Sequence, residues 1–271
     1  MRDGRAELPR RLALVAGAAL LLPACAPASA GPGGSAHPAK GSDAADAADV
    51  IPPDLVAGLP SPVPPGSCTP KRPATSAGRP QRYLPCNGTA VALTLDDGPS
   101  PQWTERMLAL LDRHHVRATF SLIGKQAVAH PGLVAEIAAA GHTLANHTYS
   151  HPDLATLSAA KVDREITRAG DAIEKASGTR PALFRAPGGS WSSTVLATCA
   201  RDGLRPLDWS VDPRDWSRPG ARHIAEVILR QTRPGSIILE HDGGGDRHET
   251  YLALAVALPR LLEAGYTFTT P

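Results

Sequence analysis

Two adjacent carboxylates, Asp96 and Asp97, end an alternating apolar run over 91–95 that is typical of a β-strand, and Gly98 and Pro99 terminate it. Neighbouring residues of a strand point to opposite faces, so the turn must redirect one carboxylate if both serve one site. Two such groups repel each other unless a cation or an arginine compensates them. Downstream candidates for that compensation are His147, His151, Arg185 and His241. The set predicts a metal-dependent hydrolase.

His147 and His151 are four residues apart, a spacing that places both imidazoles on one side of a single turn. Pro152 disfavours a helical His151, so we expect this turn to be a loop. Two histidines and one carboxylate form a known catalytic zinc set that leaves positions open for water and substrate. A His-x-x-x-His pair alone also arises by chance on loops and helix faces. The Asp-Asp strand end and the later His241 favour the metal interpretation.

From residue 90 onward, predicted strands and helices alternate. Short apolar runs predict strands over 91–95, 118–123, 143–145, 182–186, 206–208, 236–240 and 266–270. Apolar residues at helical spacing predict helices near 104–114, 131–140, 158–178, 193–201, 224–231 and 251–264, the third capped by Ser158. Strands joined by helical crossovers imply a parallel sheet or barrel with its site at the carboxyl ends of the strands. Each of these motifs falls at or just after the end of a predicted strand, which is consistent with one site.

The amino terminus has the pattern of an export signal over residues 1–30. Four arginines precede an apolar run over 12–22, which is too short to span a bilayer, and small residues follow. Leu22-Pro23-Ala24-Cys25 resembles a lipoprotein box in which Cys25 would carry a lipid anchor, although Pro23 is unusual there. Ala28-Ser29-Ala30 offers ordinary cleavage instead, and Arg10-Arg11 would fit a twin-arginine signal. We expect an exported protein, either a membrane-anchored lipoprotein or a secreted one.

Residues 31–85 are rich in Pro, Gly, Ala and Ser and have no periodic apolar pattern, so we expect a flexible linker to a single domain over 86–271. The chain has 28 basic and 26 acidic residues. Loss of the signal, with its four arginines and two acidic residues, balances these charges. A balanced charge argues against nucleic acid or a polybasic membrane contact as the main partner. We expect a monomer.

The chain contains four cysteines: Cys25, Cys68, Cys86 and Cys199. Lipidation or cleavage at Cys25 leaves an odd number, hence at most one disulfide and a spare thiol. Cys68 with Cys86 is the favoured pair in an oxidising compartment. Cys199, in a helical stretch, is otherwise explained as a small buried residue. No C-x-x-C spacing exists, which argues against a thiolate zinc site.

The domain resembles the polysaccharide deacetylases of the NodB-homology type, carbohydrate esterase family 4, over residues 88–271. Five segments carry the resemblance in order: Thr94-Leu95-Asp96-Asp97-Gly98-Pro99, His147-Thr148-Tyr149-Ser150-His151-Pro152, Arg185-Ala186-Pro187-Gly188-Gly189, Asp212-Pro213-Arg214-Asp215-Trp216 and Ile238-Leu239-Glu240-His241-Asp242. The resemblance implies an α/β fold, a distorted (β/α) barrel with one catalytic domain. It also implies removal of acetyl groups from N-acetylglucosamine-type units of an extracellular polymer.

The resemblance assigns a metal site and the catalytic groups around it. Asp97, His147 and His151 would bind a divalent metal, Zn²⁺ first and Co²⁺ second. Asp96 would be the general base that takes a proton from the attacking water, and Arg185 would hold it ionised. His241 would protonate the departing amine. Asp215 is the first choice, and Asp212 the second, for the carboxylate that tunes His241.

The resemblance also predicts substrate-binding groups. The backbone N–H of Gly188 would bind the oxyanion. Leu239 and Trp216 would line a pocket for the acetyl methyl group, and Trp191 would stack on a sugar face. Trp209 is equally well explained as core. Two positions depart from the family pattern, because Leu95 stands where Phe is more usual and Gly188 stands where an aromatic often forms a groove wall.

Peptidoglycan is the first expectation for the polymer, because an enzyme tethered in the envelope has it within reach. Chitin-type oligomers and acetylated xylan rank behind it. A non-catalytic wall-binding module is the alternative of another class, but binding alone requires neither an unligated base such as Asp96 nor an acid such as His241. A metal phosphoesterase would need more acidic ligands or a second metal, for which the sequence offers no further cluster.

Overall fold

A computed structural model describes residues 51–66, 79–85 and 88–271. The predicted signal over 1–30, the proposed lipid-bearing Cys25 and the proposed Cys68–Cys86 disulfide lie outside these residues. Cys199 is buried and carries a free thiol, in agreement with its interpretation as a small core residue. Within the described ranges, no helix has the length and apolar character needed to cross a membrane.

Seven parallel strands form one curled sheet, a half-barrel of the distorted type that the sequence predicts. They are β1 (Ala90–Asp96), β2 (Thr119–Leu122), β3 (Thr143–Asn146), β4 (Leu183–Phe184), β5 (Arg205–Pro206), β6 (Ile237–His241) and β7 (Thr267–Phe268). The strand order is β5-β4-β3-β2-β1-β6, and β7 pairs with the start of β1. All of these pairings are parallel. The carboxyl ends of β1, β3, β4 and β6 therefore meet at one rim.

Eight α-helices accompany the sheet in the described part of the chain. They are α1 (Pro53–Val56), α2 (Thr104–Arg113), α3 (Gly124–Ala129), α4 (Pro131–Ala139), α5 (Ala159–Ser177), α6 (Ser193–Arg201), α7 (Ala221–Gln231) and α8 (His248–Glu263). The sequence predicts six of them and misses α1 and α3, which have only four and six residues. Ser158 precedes α5 as predicted, but its side chain makes no capping hydrogen bond.

Strand β1 is buried on both faces, and its alternation orients the site. Val91, Leu93 and Leu95 pack in the large core with the helices. Ala92 packs in a smaller core inside the curl of the sheet. Since alternate residues share a face, Asp96 lies on the inner face with Ala92. The strand thus directs one acidic side chain into the barrel.

Residues 79–85 differ from the expected linker because they fill the gap between β5 and β6. The backbone N–H of Gln81 donates to Pro206 O at 2.8 Å, and that of Leu84 donates to Gly235 O at 2.8 Å. Gln81 also forms a parallel bridge with Leu207, and Tyr83 forms an antiparallel bridge with Ser236. The unpaired backbone groups of the sheet edges account for this recruitment.

Residues 51–66 also contact the domain, contrary to the expected free tether. Leu55 is buried and belongs to the main core. Arg222 on α7 donates to the backbone oxygens of Asp54 and Ala57. The Tyr266 hydroxyl donates to Val63 O at 2.9 Å. The apolar residues of this Pro-rich segment pack on the domain although they have no periodic spacing. The lack of periodicity is the reason that the sequence predicted a free linker here.

Candidate active site

The turn at the end of β1 brings both carboxylates to one site, as the sequence requires of a shared site: Asp96 Oδ2 and Asp97 Oδ1 lie 3.8 and 3.5 Å from His147 Nε2. Asp96 is 3 % exposed and faces the barrel interior. Asp97 adopts a left-handed conformation with φ of 73°, which breaks the strand alternation. The backbone of Gly243 approaches Asp97 so closely that an added Cβ would collide with Asp97 O. This packing against the end of β6 accommodates the turn that redirects Asp97.

The loop after β3 carries His147 and His151, and two left-handed residues shape it. Thr148 has φ of 68° and His151 has φ of 59°. The side chain of Glu165 on α5 accepts hydrogen bonds from the backbone N–H groups of Tyr149 and Ser150, at 3.0 and 2.7 Å. Its second oxygen accepts from Ser150 Oγ at 2.9 Å. A carboxylate from a neighbouring helix therefore fixes the backbone between the two histidines.

Asp97, His147 and His151 converge on one point. Asp97 Oδ1 lies 3.5 Å from His147 Nε2 and 3.3 Å from His151 Nε2. The three ligand atoms lie within 4.8 Å of one another, and Asp97 Oδ1 is buried without a hydrogen-bond partner among the described residues. The residues fit a divalent cation, because an orphaned carboxylate oxygen faces two imidazole nitrogens.

The surroundings of His147 favour the neutral form that can bind a metal. Its Nδ1 lies 2.9 Å from Arg185 O, so Nδ1–H donates to that carbonyl and Nε2 presents a lone pair to the site. Burial lowers the pKa of His147, although Asp96 and Asp97 oppose this effect. A neutral imidazole is the form that binds a metal.

Arg185 is fully buried and pairs with Asp96, as predicted. Its Nη1 donates to Asp96 Oδ1 at 2.7 Å and to Thr94 Oγ1 at 2.8 Å, and its Nη2 donates to Asp208 O at 3.1 Å. Burial raises the pKa of Asp96, but the Arg185 guanidinium, with smaller effects from the neighbouring histidines, holds that pKa below its ordinary value. Asp96 is thereby ionised and oriented.

His241 ends β6, and Asp215 holds it. His241 Nδ1 lies 2.6 Å from Asp215 Oδ1, and the His241 backbone N–H donates to Asp215 Oδ2 at 3.0 Å. Thr250 Oγ1 on α8 donates to the same oxygen at 2.9 Å. Burial lowers the pKa of His241, but the hydrogen bond and charge of Asp215 outweigh burial and raise it above its ordinary value. Asp212, the second choice, instead accepts from the Arg214 backbone at 2.8 Å.

The predicted substrate-binding residues occupy different surroundings. Gly188 is exposed, has φ of 61° and leaves open space where a side chain would stand. Leu239 shares the inner face of β6 with His241 and is 3 % exposed. Trp191 packs edge-on against Phe184. Trp216 is 48 % exposed, and Arg214 lies over its ring. Their contacts with substrate remain predictions.

Sequence reasoning assigned no role to several polar residues behind the site. Glu240 and Asp242 fall within the fifth segment and are fully buried. Thr104 Oγ1 donates to Asp242 Oδ2 at 2.6 Å, and burial raises the pKa of Asp242 to about 7. A carboxyl group within an otherwise apolar strand could have identified Glu240 from the sequence alone. Glu165 has no comparable signal, because its partners come from a distant loop.

The curled parallel sheet, with this set of groups at its carboxyl rim, defines a hydrolase that contains a candidate divalent-metal centre. The sequence profile of the polysaccharide deacetylases matches residues 85–207. A chitooligosaccharide deacetylase of Sinorhizobium fredii (strain NBRC 101917 / NGR234) is 43 % identical over 68 % of this chain and 93 % of its own length. The chain belongs to the polysaccharide deacetylase family, carbohydrate esterase family 4, as its five segments predicted.

Two solved structures extend this relationship. A peptidoglycan N-acetylglucosamine deacetylase superposes with a TM-score of 0.68 at 35 % identity, covering 70 % of this chain and 89 % of the other. A pseudoenzyme of the same family from Bacillus anthracis superposes with a TM-score of 0.67 at 28 % identity, covering 72 % and 68 %. The fold therefore accommodates active and inactive members, and the catalytic side chains must decide between them.

Proposed function

We propose that this protein removes N-acetyl groups from N-acetylglucosamine units of a glycan, with peptidoglycan as the first substrate. The observation that carries the proposal is the set of groups at one rim: a candidate metal centre, the Asp96–Arg185 pair and the Asp215–His241 pair. Amide hydrolysis needs an activated water, a stabilised oxyanion and a proton for the leaving amine. The site offers a group for each need.

Asp97, His147 and His151 would hold the cation, Zn²⁺ first and Co²⁺ second. A divalent cation there supplies Lewis acidity, which lowers the pKa of a water molecule and polarises a carbonyl. Asp97 contributes the charged ligand, and the two imidazoles contribute neutral nitrogens. This set matches the two-histidine, one-carboxylate type of catalytic zinc site.

The remaining groups move protons and bind the developing charge. Asp96, ionised beside Arg185, takes a proton from the attacking water at a carboxylate oxygen. The backbone N–H of Gly188, an exposed residue, donates to the carbonyl oxygen as it becomes negative. His241, whose pKa Asp215 raises, donates the proton from Nε2 to the departing amine. The acetyl methyl group would rest between Leu239 and Trp216.

A chitooligosaccharide deacetylase is the second candidate, favoured by the relative at 43 % identity. Both candidates share the N-acetylglucosamine unit, so the site chemistry does not separate them. The open space beside Gly188 and the aromatic ring of Trp191 are the features expected to accommodate and contact the neighbouring sugar. Acetylated xylan is the third substrate and would require ester rather than amide hydrolysis.

The test is acetate release from peptidoglycan, chitin oligomers and acetylxylan, measured side by side with Zn²⁺ added. We expect release from the first two and the highest kcat/KM on peptidoglycan. Dialysis against a strong chelator should abolish release, and Zn²⁺ or Co²⁺ should restore it. Asp96→Asn, purified identically, controls for contaminating activity. A metal-loaded protein that releases no acetate from any of the three would instead support the wall-binding alternative.

We also propose that the protein acts outside the cytoplasm, as a lipoprotein anchored through Cys25 or as a secreted monomer. The proposal rests on the signal pattern over 1–30 and the lipoprotein-like box. Metabolic labelling with a palmitate analogue tests it, with Cys25→Ala as the control. Labelling that persists in Cys25→Ala would contradict an anchor at this residue.

A further inference from the structure

Glu240 is a buried carboxyl residue of strand β6 to which the proposed chemistry gives no role. Its side chain is 0 % exposed. Leu239 and His241 lie on the inner face of the sheet, so Glu240 points to the opposite face, toward the helices. It is paired in register with Leu95, which belongs to the helix-facing core. A carboxyl group thus occupies a position where the neighbouring strand places an aliphatic side chain.

No donor reaches Glu240 from the residues that the structure describes. Both Oε1 and Oε2 are buried without a hydrogen-bond partner. Arg247 is a cation whose charge acts on Glu240, but its Nε donates to Gly243 O at 2.7 Å and its Nη1 donates to Asp215 O at 3.5 Å. An ionised carboxylate with no donor and no paired cation would carry the full cost of its lost hydration.

Asp215, the carboxylate that holds His241, lies beside Glu240: its Oδ2 accepts from the backbone N–H of the next residue, His241, at 3.0 Å, and it acts directly on the Glu240 carboxyl. Asp215 already accepts hydrogen bonds from the His241 ring, the His241 backbone and Thr250. Two adjacent carboxyl groups in a dry site avoid repulsion when one keeps its proton and donates it to the other. Asp215 has the donors that suit an anion and Glu240 has none, so the proton belongs on Glu240.

We propose that Glu240 is a neutral carboxyl whose O–H donates to Asp215, and that this hydrogen bond limits how strongly Asp215 retains the proton on His241. Glu240 is therefore a positioning residue that acts through Asp215. Burial, with Asp215 and Asp212 nearby, raises the pKa of Glu240 well above its ordinary value, and Arg247 opposes this only weakly. The inference rests on the proposed role of His241 as the acid.

The proposal predicts the direction in which the proton affinity of His241 changes when Glu240 is replaced. A hydrogen bond donated to Asp215 reduces the negative charge that Asp215 presents to the His241 imidazolium. Removal of that donor therefore strengthens the bond between Asp215 and protonated His241. The other acidic groups acting on His241 are Asp96, the last residue of β1, and Asp97, in the turn that follows, and they are the same in every variant. Replacing Glu240 therefore changes one contribution and leaves the others in place.

Two substitutions separate the possibilities. Glu240→Gln keeps the shape and an N–H that can donate to Asp215, whereas Glu240→Met keeps the volume and removes the donor. The readout is the pKa of His241 in the Zn²⁺-loaded full chain, from NMR titration with isotope-labelled histidine, and the resonance is assigned by its loss in His241→Asn. Glu136→Gln, at an exposed position on α4, is the control for loss of a carboxyl group.

We expect Glu240→Met to raise the proton affinity of His241 roughly three- to tenfold, as expected for loss of one hydrogen bond to a charged group, and Glu240→Gln to leave it unchanged. A lower proton affinity of His241 in both variants would overturn the proposal, because it would show that Glu240 is ionised. No change in Glu240→Met, or an equal rise in both variants, would also overturn it. If Glu240→Gln does not fold, the sign of the change in Glu240→Met decides alone.

This titration does not depend on turnover. If the protein releases no acetate from any substrate, the proposed function fails, yet the proton affinity of His241 still tests the contact between Glu240 and Asp215. If acetate is released, the basic side of the pH profile of kcat/KM should move upward in Glu240→Met by the same amount. Thermal unfolding of each variant confirms that the comparison is made on folded protein.

Discussion

The two sides of the site are built in opposite ways. On the metal side, Asp97, His147 and His151 stand on turns with left-handed backbone, and the side chain of His151 is 41 % exposed. On the acid side, Asp215 and His241 are both buried and joined by side-chain hydrogen bonds. The metal side leaves a carboxylate oxygen without a partner, whereas the acid side gives Asp215 three donors.

This difference follows from what each side must do. A metal side requires unsatisfied ligand atoms, so the backbone conformation and the Glu165 contacts hold its geometry. The acid side requires a His241 pKa that is shifted from its ordinary value, and a buried charged partner away from water produces such a shift. Substitutions on the metal side should therefore change occupancy, and substitutions on the acid side should change rate and pH dependence.

The largest effect is expected from Asp97→Asn. A neutral amide is a poor ligand for a hard dication, and the site loses its charged member. We expect loss of bound Zn²⁺ by elemental analysis and loss of acetate release. Asp171→Asn, at an exposed position on α5, should retain both. A metal-loaded, active Asp97→Asn would remove Asp97 from the metal side.

Asp96→Asn should give the next largest effect while leaving Zn²⁺ bound. Removal of a general base lowers kcat by about 10²–10⁴-fold. Arg185 loses its charged partner, so thermal unfolding must be measured to confirm that the variant is folded. If Asp96→Asn loses the metal and Asp97→Asn keeps it, the roles of the two carboxylates are reversed. An unchanged kcat would contradict the general-base role.

Glu165→Ala tests whether the backbone holds the metal side. Loss of its three hydrogen bonds frees the loop between the histidines, and outer groups of this kind are typically worth about 10–100-fold in metal affinity. Competition with a chromophoric chelator measures this affinity without reference to turnover. Glu165→Gln keeps an acceptor oxygen and should lose less. Equal affinity in all three proteins would show that the loop holds its shape unaided.

Asp215→Asn should have the smallest effect on occupancy and a clear effect on pH dependence. Asp215 raises the pKa of His241 in the folded protein, so its neutralisation lowers that pKa. The acid form then disappears at lower pH, and the basic limb of kcat/KM should move downward by roughly one pH unit, since a unit corresponds to about 1.4 kcal/mol. Metal content should stay unchanged. A limb that moves upward would contradict the pairing.

The sequence by itself determined the parts that depend on local pattern. Alternation over 91–95 gave β1 and directed Asp96 inward, and the apolar stripe of Val162, Ile166 and Ile173 gave α5. The adjacency of Asp96 and Asp97 required a turn between them, and Asp97 itself provides it with a left-handed backbone. Periodicity records which face of each element is buried, so these features are readable without tertiary contacts.

Only the tertiary structure decided which distant groups meet. Arg185 contacts Asp96 from 89 residues away, and Glu165 holds a loop 15 residues before it. Residues 79–85, with a composition typical of a linker, instead join β5 to β6 because those edges leave backbone groups unpaired. Glu240 reads as a polar interruption of a strand, and its burial against Asp215 becomes visible only once the helices cover that face. Such contacts depend on sheet order and closure, which local residue patterns do not encode.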